Sequence, residues 1–246
     1  MLKGILEATA GMMARGVQLE KVSQNLANAN STGYKSEHLA YTNLIDQEIA
    51  RLQMQGQGGL ARLAPGQYTD YSSGAFKTTG NDLDLAMRGR GFFVVRNQSG
   101  EEFFTRNGSF HRNDEGILVN SDNLPVMGQG GEIKLGSGRV DIGVDGVVSQ
   151  LGSEVDRLKL VDFASGAELV SIGHSLYGPA SGEVSPTPVA NVEIIQGSLE
   201  ESNVDIVAEM VDLIELQRVF EFTQRAIRAQ DDTLGLAINS VGTISR

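Results

Sequence analysis

SNVDIVAEMVDLIELQRVFEFTQRAIRAQDDTLGLAINSV, residues 202–241, decides how the rest of the chain is read. Ile206, Leu213, Phe220, Ile227, Leu234 and Val241 recur every seven residues, and all are apolar. Offset by four from these runs a second series, Met210, Gln217, Gln224, Asp231 and Ile238. One apolar heptad position sustained over this length predicts the seam of a long helix shaped for a partner helix. The polar middle of the second series makes a poor stand-alone zipper. Ser202 and Asn203 predict the N-cap, with Asp205 in the first turn. Periodicity alone fits an amphipathic helix docked on its own domain equally well.

The N-terminal residues shift that balance. Ile5, Met12, Leu19 and Leu26 also repeat every seven residues, with Thr9, Gly16 and Ser23 at the companion position. Small residues on one helix admit a second backbone, and bulky residues on the other can fill the space. Two terminal helices leaving and re-entering one body would pair antiparallel. The expected fold is therefore α+β: a discontinuous helical stalk, an antiparallel coiled coil of 1–35 and 200–246, carrying an all-β head over 81–199. Residues 36–80 form an extended connector.

At 246 residues the chain is long enough for one large or two modest domains with a real core. A hydrophobic fraction of 40% and a mean hydropathy of -0.14 describe a soluble protein. No apolar run approaches the ~18 residues of a membrane span, which argues against membrane insertion. The net charge of -11 argues against nucleic acid as a partner. The absence of cysteine excludes disulfides, thiolate metal sites and a cysteine nucleophile. Ala8-Thr9-Ala10 resembles a cleavage site, yet the apolar region before it is too short for a signal peptide. If exported, the chain is expected to leave without a cleaved signal.

The first helix is expected to end in Asn25-Leu26-Ala27-Asn28-Ala29-Asn30-Ser31-Thr32-Gly33-Tyr34, where Gly33 can take the left-handed conformation that closes a helix. Asn25 and Asn28 share a face, and each amide can both donate and accept, which suits backbone bonding across segments or subunits. Leu39, Ile45, Ile49 and Leu52 hint at a short amphipathic segment, and Gln55-Gly56-Gln57-Gly58-Gly59 reads as a flexible joint. From Asn81 short apolar runs recur: Gly91–Val95, Phe103-Phe104, Ile117–Val119, Val140–Ile142, Val147-Val148, Leu158–Val161 and Val192–Ile195. Asn107-Gly108, Glu115-Gly116 and Asp145-Gly146 supply hairpin chemistry between them. Gly178 to Pro188, with three prolines, is expected as a surface loop.

No catalytic constellation emerges. Gly89-Arg90-Gly91 lacks the third glycine of a nucleotide loop and precedes a strand, so a tight turn is the better reading. His38, His111 and His174 stand far apart, with no neighbour at metal-ligand spacing. Asp82 and Asp84 could form a carboxylate pair, but a loop edge fits better. No Gly-x-Ser-x-Gly elbow occurs. No cofactor, no metal and no catalytic residues are expected. On the C-terminal helix Arg218, Glu221, Arg225 and Arg228 make a charged stripe beside the polar seam positions Gln217 and Gln224. A solvated face is the alternative, but charges flanking a seam also select partners. The expected assembly interface comprises Ile5, Met12, Leu19, Asn25, Leu26 and Asn28 with Ile206, Met210, Leu213, Gln217, Arg218, Phe220, Glu221, Gln224, Ile227 and Leu234.

Blocks along the chain resemble those of the bacterial flagellar rod proteins. The first is Ser23-Gln24-Asn25-Leu26-Ala27-Asn28-Ala29-Asn30-Ser31-Thr32-Gly33-Tyr34-Lys35. Then come Asp82-Leu83-Asp84-Leu85-Ala86-Met87, Gly89–Val95, Phe104–Phe110 and Asp145-Gly146-Val147-Val148-Ser149. Gln196–Val204, Glu209-Met210 and Arg218-Val219-Phe220-Glu221 complete the series in the family's order. The resemblance implies a structural subunit that stacks helically into the torque-carrying shaft of the basal body. It implies self-assembly and contact with other rod and axial proteins, the flagellar type III export apparatus and the surrounding rings. It places the chain in the cell envelope and periplasm. Length and compact middle resemble a proximal-rod member more than a distal one. The competing class, an extracytoplasmic carbohydrate-binding module or enzyme on a coiled-coil anchor, would need an aromatic platform or a carboxylate cleft. The absence of tryptophan and an aromatic fraction of 6% count against it. A secreted adhesin would need a signal peptide or anchor.

Overall fold

The computed structural model describes residues 2–40, 66–163, 169–179, 186–189 and 192–244. The chain divides into two compact units: 1–27, 37–70 and 205–246 make the first, and 28–36 with 71–204 the second. The expected 36–80 connector is thus shared between them, and the chain belongs to the α+β class. The amphipathic segment and glycine joint read in 41–65 lie outside the described residues.

In the first unit, α1 (Leu2–Ala27) packs on α2 (Ile206–Ile244), and β1 (Glu37–Ala40) pairs antiparallel with β2 (Gly66–Thr69). Helix α1 stops where the asparagine and serine run begins, whose side chains compete for backbone hydrogen bonds. The start of α2 differs from expectation. Asp205 Oδ1 accepts hydrogen bonds from the Val207 and Ala208 amides at 3.0 and 3.1 Å, so Asp205 itself is the N-cap. Ser202 and Asn203 lie upstream in the second unit, where Asn203 Oδ1 accepts from the Ser36 amide at 2.8 Å.

The inward stripe of each helix is also offset from expectation. On α2 Glu209 and Leu216 are buried, while Leu213, Phe220, Thr223 and Ile227 are half-buried. The companion position therefore sits three residues after the Ile206 series, not four, because a 3.6-residue turn alternates steps of three and four along one face. On α1 Val22 is buried between half-buried Leu19 and Leu26, and Ser23 is exposed. A Cβ added at Gly16 meets nothing within 4 Å, so among the described residues no backbone approaches the glycine closely.

The second unit holds β3 (Phe76–Thr78), β4 (Leu85–Arg88), β5 (Phe92–Arg96), β6 (Glu102–Thr105), β7 (His111–Arg112), β8 (Leu118–Val119), β9 (Val140–Ile142) and β10 (Val147–Gln150). It continues with β11 (Ser153–Arg157), β12 (Leu160–Asp162), β13 (Leu169–Gly173), β14 (Leu176–Pro179), β15 (Thr187–Pro188), β16 (Glu193–Gln196) and β17 (Ser198–Glu200). Six strands form its main sheet, in the order β13-β14-β6-β5-β12-β15. Strand β5 explains the unbroken run Phe92-Phe93-Val94-Val95. Successive side chains point to opposite faces, so Phe93 and Val95 enter one core with Leu85, Phe110 and Ile194, while Phe92 and Val94 enter another with Phe104, Phe163 and Tyr177.

Several expectations shift here. Gly116 and Gly146 take positive φ in their turns, as the hairpin chemistry required. Asn107-Gly108 does not make a hairpin. Gly108 instead crosses the β4 backbone, where an added Cβ would lie 1.7 Å from the Leu85 carbonyl oxygen. Gly178 and Pro179 end β14, and Thr187-Pro188 form the edge strand β15 on β12, so both ends of the expected 178–188 loop are strand. Gly89 and Gly91 take positive φ in a tight turn before β5.

Candidate assembly site

Among the described residues of the helical unit, Asn25 is the most deeply buried polar one, 1% exposed. Its Nδ2 donates to the Glu37 carbonyl at 3.0 Å and to Glu209 Oε1 at 2.8 Å, and its Oδ1 accepts from the Glu37 amide at 3.0 Å. The side chain thus pairs with one residue of β1 as a strand would, and also ties the end of α1 to the first turns of α2. The expected cross-segment bonding is realised inside the chain. Lys21 Nζ reaches Glu37 Oε2 at 2.6 Å beside it. Asn28, half-buried in the second unit, accepts from Ser31 Oγ at 3.2 Å.

The other expected interface residues divide by exposure. Met12, Leu19, Leu26, Leu213, Phe220, Gln224 and Ile227 are half-buried; Ile206, Met210, Gln217, Arg218 and Glu221 are exposed. Ile5 and Leu234 lie on α1 and α2, with their side chains outside the described residues. Glu221 and Arg225 pair at 3.5 Å on an open face, where such a pair contributes at most a few tenths of a kcal/mol. Beyond the expected residues, Val207, Val211, Ile214, Val219 and Phe222 are exposed on α2. The heptad count passed over them because they fall outside one strict seven-residue series.

Inside the second unit the quoted blocks meet at a buried ionic knot that sequence reasoning did not single out. Lys35 and Glu200 have fully buried side chains, with Nζ 2.6 Å from Oε1. Lys35 Nζ also donates to the Ser72 carbonyl at 2.6 Å, and the Gly74 amide donates to Glu200 Oε1 at 3.1 Å. Glu200 Oε2 takes Arg106 Nη1 at 3.4 Å, and Arg106 Nη2 donates to the Gly89 carbonyl at 2.8 Å. Burial pulls the Arg106 guanidinium below its ordinary value, against the pull of Glu200, Asp162 and Tyr177; an arginine keeps its charge through such a shift. Arg106 Nε is buried without a hydrogen-bond partner among the described residues, and the guanidinium carbon lies 5.4 Å from the Phe92 ring centroid. Gly33 passes close by with φ +65; its amide donates to the Glu200 carbonyl at 2.8 Å, and an added Cβ would lie 2.4 Å from the Asn107 nitrogen. Its left-handed conformation serves this crossing rather than the helix end. Charges within three separated blocks were the available signal, but their convergence is a tertiary fact.

Asp84 is buried and accepts from Thr79 Oγ1 at 2.6 Å and Asn81 Nδ2 at 3.0 Å, which makes it the turn's anchor rather than half of a carboxylate pair. His38 lies 5.4 Å from the Tyr68 ring, and His174 Nδ1 lies 2.6 Å from Asp122 Oδ1 on the surface. Among the described residues no group of three His, Cys, Asp or Glu is placed to hold a metal, and no helix is long and apolar enough to cross a membrane.

Three family models match the chain. They are described as flagella basal body rod protein over residues 5–35, flagellar hook protein FlgE/F/G D1 domain over 86–150, and flagellar basal body rod FlgEFG protein C-terminal over 195–240. The flagellar basal-body rod protein FlgF of Caulobacter vibrioides is 35% identical over 232 residues, 93% of each chain. The chain belongs to the flagellar basal-body rod protein family. FlgF of Mesorhizobium japonicum is 30% identical over 97% of each chain, and the rod protein FlgG of Bacillus subtilis is 30% identical over 97% of this chain and 99% of its own. The rod family is structural, so this member is a structural subunit of the basal-body rod and not an enzyme. Asn25, Gly33 and Lys35 fall in or beside the end of the N-terminal match, Arg106 in the middle one and Glu200 in the C-terminal one. The two polar nodes therefore belong to the parts of the chain that carry the family likeness.

Proposed function

We propose that this rod subunit polymerises helically through its terminal helices and takes a proximal-rod position like that of FlgF. The assembly part rests on one observation: α2 keeps Val207, Met210, Val211, Ile214, Val219 and Phe222 exposed in the single chain. Apolar side chains repeated along a helix that already has an inward stripe need a further partner. At ~1.5 Å per residue the 39 residues of α2 also outreach the 26 of α1 by roughly 20 Å. On this reading α1 and α2 form the antiparallel coiled-coil stalk, the β-rich unit is its head, and Arg218, Glu221 and the polar Gln217 and Gln224 set partner choice in a wet array. The subunit contacts other rod and axial proteins, passes through the flagellar export apparatus, and works in the periplasm within the surrounding rings.

The proximal position is supported by sequence identity. FlgF of Caulobacter vibrioides is 35% identical over 93% of the chain, against 30% over 97% for FlgG of Bacillus subtilis. The FlgG likeness still covers 97% of the chain, which keeps a distal-rod position as the second reading. Phe222→Asp tests assembly: the variant is expected to remain monomeric in sedimentation with the β signal of circular dichroism intact. A variant that still polymerises overturns the helix-driven reading. Complementation separates the two positions, with motility restored in a strain lacking FlgF and absent in one lacking FlgG; the reverse pattern overturns the proximal assignment.

A further inference from the structure

Residues 193–203 come last in the chain order of the β-rich unit, yet they run through its interior. Strand β16 pairs with β4, Ile194 enters the core that holds Phe93, and the Ile194 amide donates to the Val144 carbonyl at 2.9 Å. The Gln196 side chain donates to the Asp82 and Val140 carbonyls, each at 2.8 Å, and accepts from the Ile142 amide at 3.2 Å. Strand β17 pairs with β3, and its Glu200 carbonyl accepts from the Gly33 amide. Asn203 then joins the Ser36 amide to Ser72 Oγ at 2.8 and 3.1 Å. One short segment therefore ties together stretches of the unit that lie from Gly33 to Val144.

The ionic knot gives that closure a threshold. Two cations, Lys35 and Arg106, converge on the one carboxylate of Glu200, and all three side chains are buried. A cation withdrawn from water without its anion is strongly destabilised. While residue 200 is undocked, Lys35 and Arg106 therefore resist burial. Arg106 lies over the Phe92 ring, so the aromatic core around Phe92 cannot close without burying the guanidinium as well. We propose that Glu200 is the closing latch of the β-rich unit: the unit folds in one step when 193–203 docks. A chain that emerges N-terminus first then stays unfolded until that segment is free. This inference holds whichever helix face drives assembly.

Pulse-labelled hydrogen exchange during refolding of the full chain from urea tests the order of events. The Leu118, Val126 and Met127 amides are bonded within the core, while those of Gly33, Gly197 and Glu201 are bonded to or from the closing segment. Both sets are expected to gain protection in the same phase. Core amides protected ahead of the closing ones overturn the latch, and this measurement needs no variant. Glu200→Gln, which fills the same space without the charge, is expected to slow refolding severalfold. An unchanged refolding rate with faster unfolding would place the knot after the main barrier and overturn the proposal. The apolar triple variant Lys35→Met, Arg106→Met, Glu200→Leu removes the threshold and is expected to protect the core amides before the closing ones. If the folded triple variant still gains both in one phase, charge is not what holds the unit open. None of these outcomes depends on whether Phe222→Asp polymerises.

Discussion

Asn25 shows how much one amide can carry. Its removal leaves the amide and carbonyl of Glu37 and one oxygen of Glu209 without that partner in a buried place. Each such loss costs about 1–3 kcal/mol. Asn25→Ala is expected to lower the urea midpoint of the helical signal and to speed exchange of the Glu37 amide. Asn25→Asp is expected to be worse at neutral pH, because a second carboxylate then faces Glu209. Equal loss in the two variants would mean that packing, not the amide, matters. Glu200 is the corresponding residue of the β-rich unit. Glu200→Gln leaves Lys35 and Arg106 facing a neutral amide, and breaking a buried pair in this way costs about 3–5 kcal/mol. Replacing all three by apolar residues (Lys35→Met, Arg106→Met, Glu200→Leu) is expected to recover much of that stability in urea unfolding. Failure to recover would show that the hydrogen bonds to Ser72, Gly74 and Gly89 dominate over charge balance.

Elements translate these residues into directions. The cap at Asp205 satisfies the first free amides of α2, and Asp205→Ala is expected to cost about 1 kcal/mol, read as faster exchange at Val207 and Ala208. Hairpin β5–β6 carries a pH-dependent contribution. Burial alone would raise the Glu102 carboxyl, but hydrogen bonds and charge from Lys159 and Arg96 outweigh it and hold its pKa below the ordinary 4.5. A depressed carboxylate stabilises fully above its unfolded value, and that contribution is lost as pH falls through the lower folded value. Glu102→Gln should therefore flatten the fall in stability below about pH 4.5, seen as converging urea midpoints of the two proteins in acid. At this scale the sequence was informative where burial is two-sided. Phe92–Val95 reads as a strand because both its faces meet a core. It was silent at β11 and read β15 as loop, because polar residues or prolines lie there on exposed edges with no apolar alternation to see.

At the scale of the molecule, a β-rich unit with its own two cores should outlast the loss of polymerisation. Limited proteolysis of the dilute Phe222→Asp protein is expected to leave a resistant product that keeps residues 28–36 and 71–204 while the terminal helices are digested. Full-length resistance would mean that the helices pair stably in the monomer, and that assembly adds little order to them. Solution scattering before and after polymerisation would report the same difference independently.

Heptads at both ends, the strand-rich middle and the family blocks were legible because periodicity and local turn chemistry act over a few residues. The α+β class and the rod family followed from them. Tertiary structure decided which helical stripe turns inward, since steps of three and four differ only once a partner occupies one side. It also decided that Asp205 caps α2, that Gly108 admits β4, and that Lys35, Arg106 and Glu200 meet. The last three stand up to 165 residues apart in the chain. A buried charge is stable only when opposite charges and backbone dipoles from distant segments surround it, and no local pattern along the chain encodes that encounter.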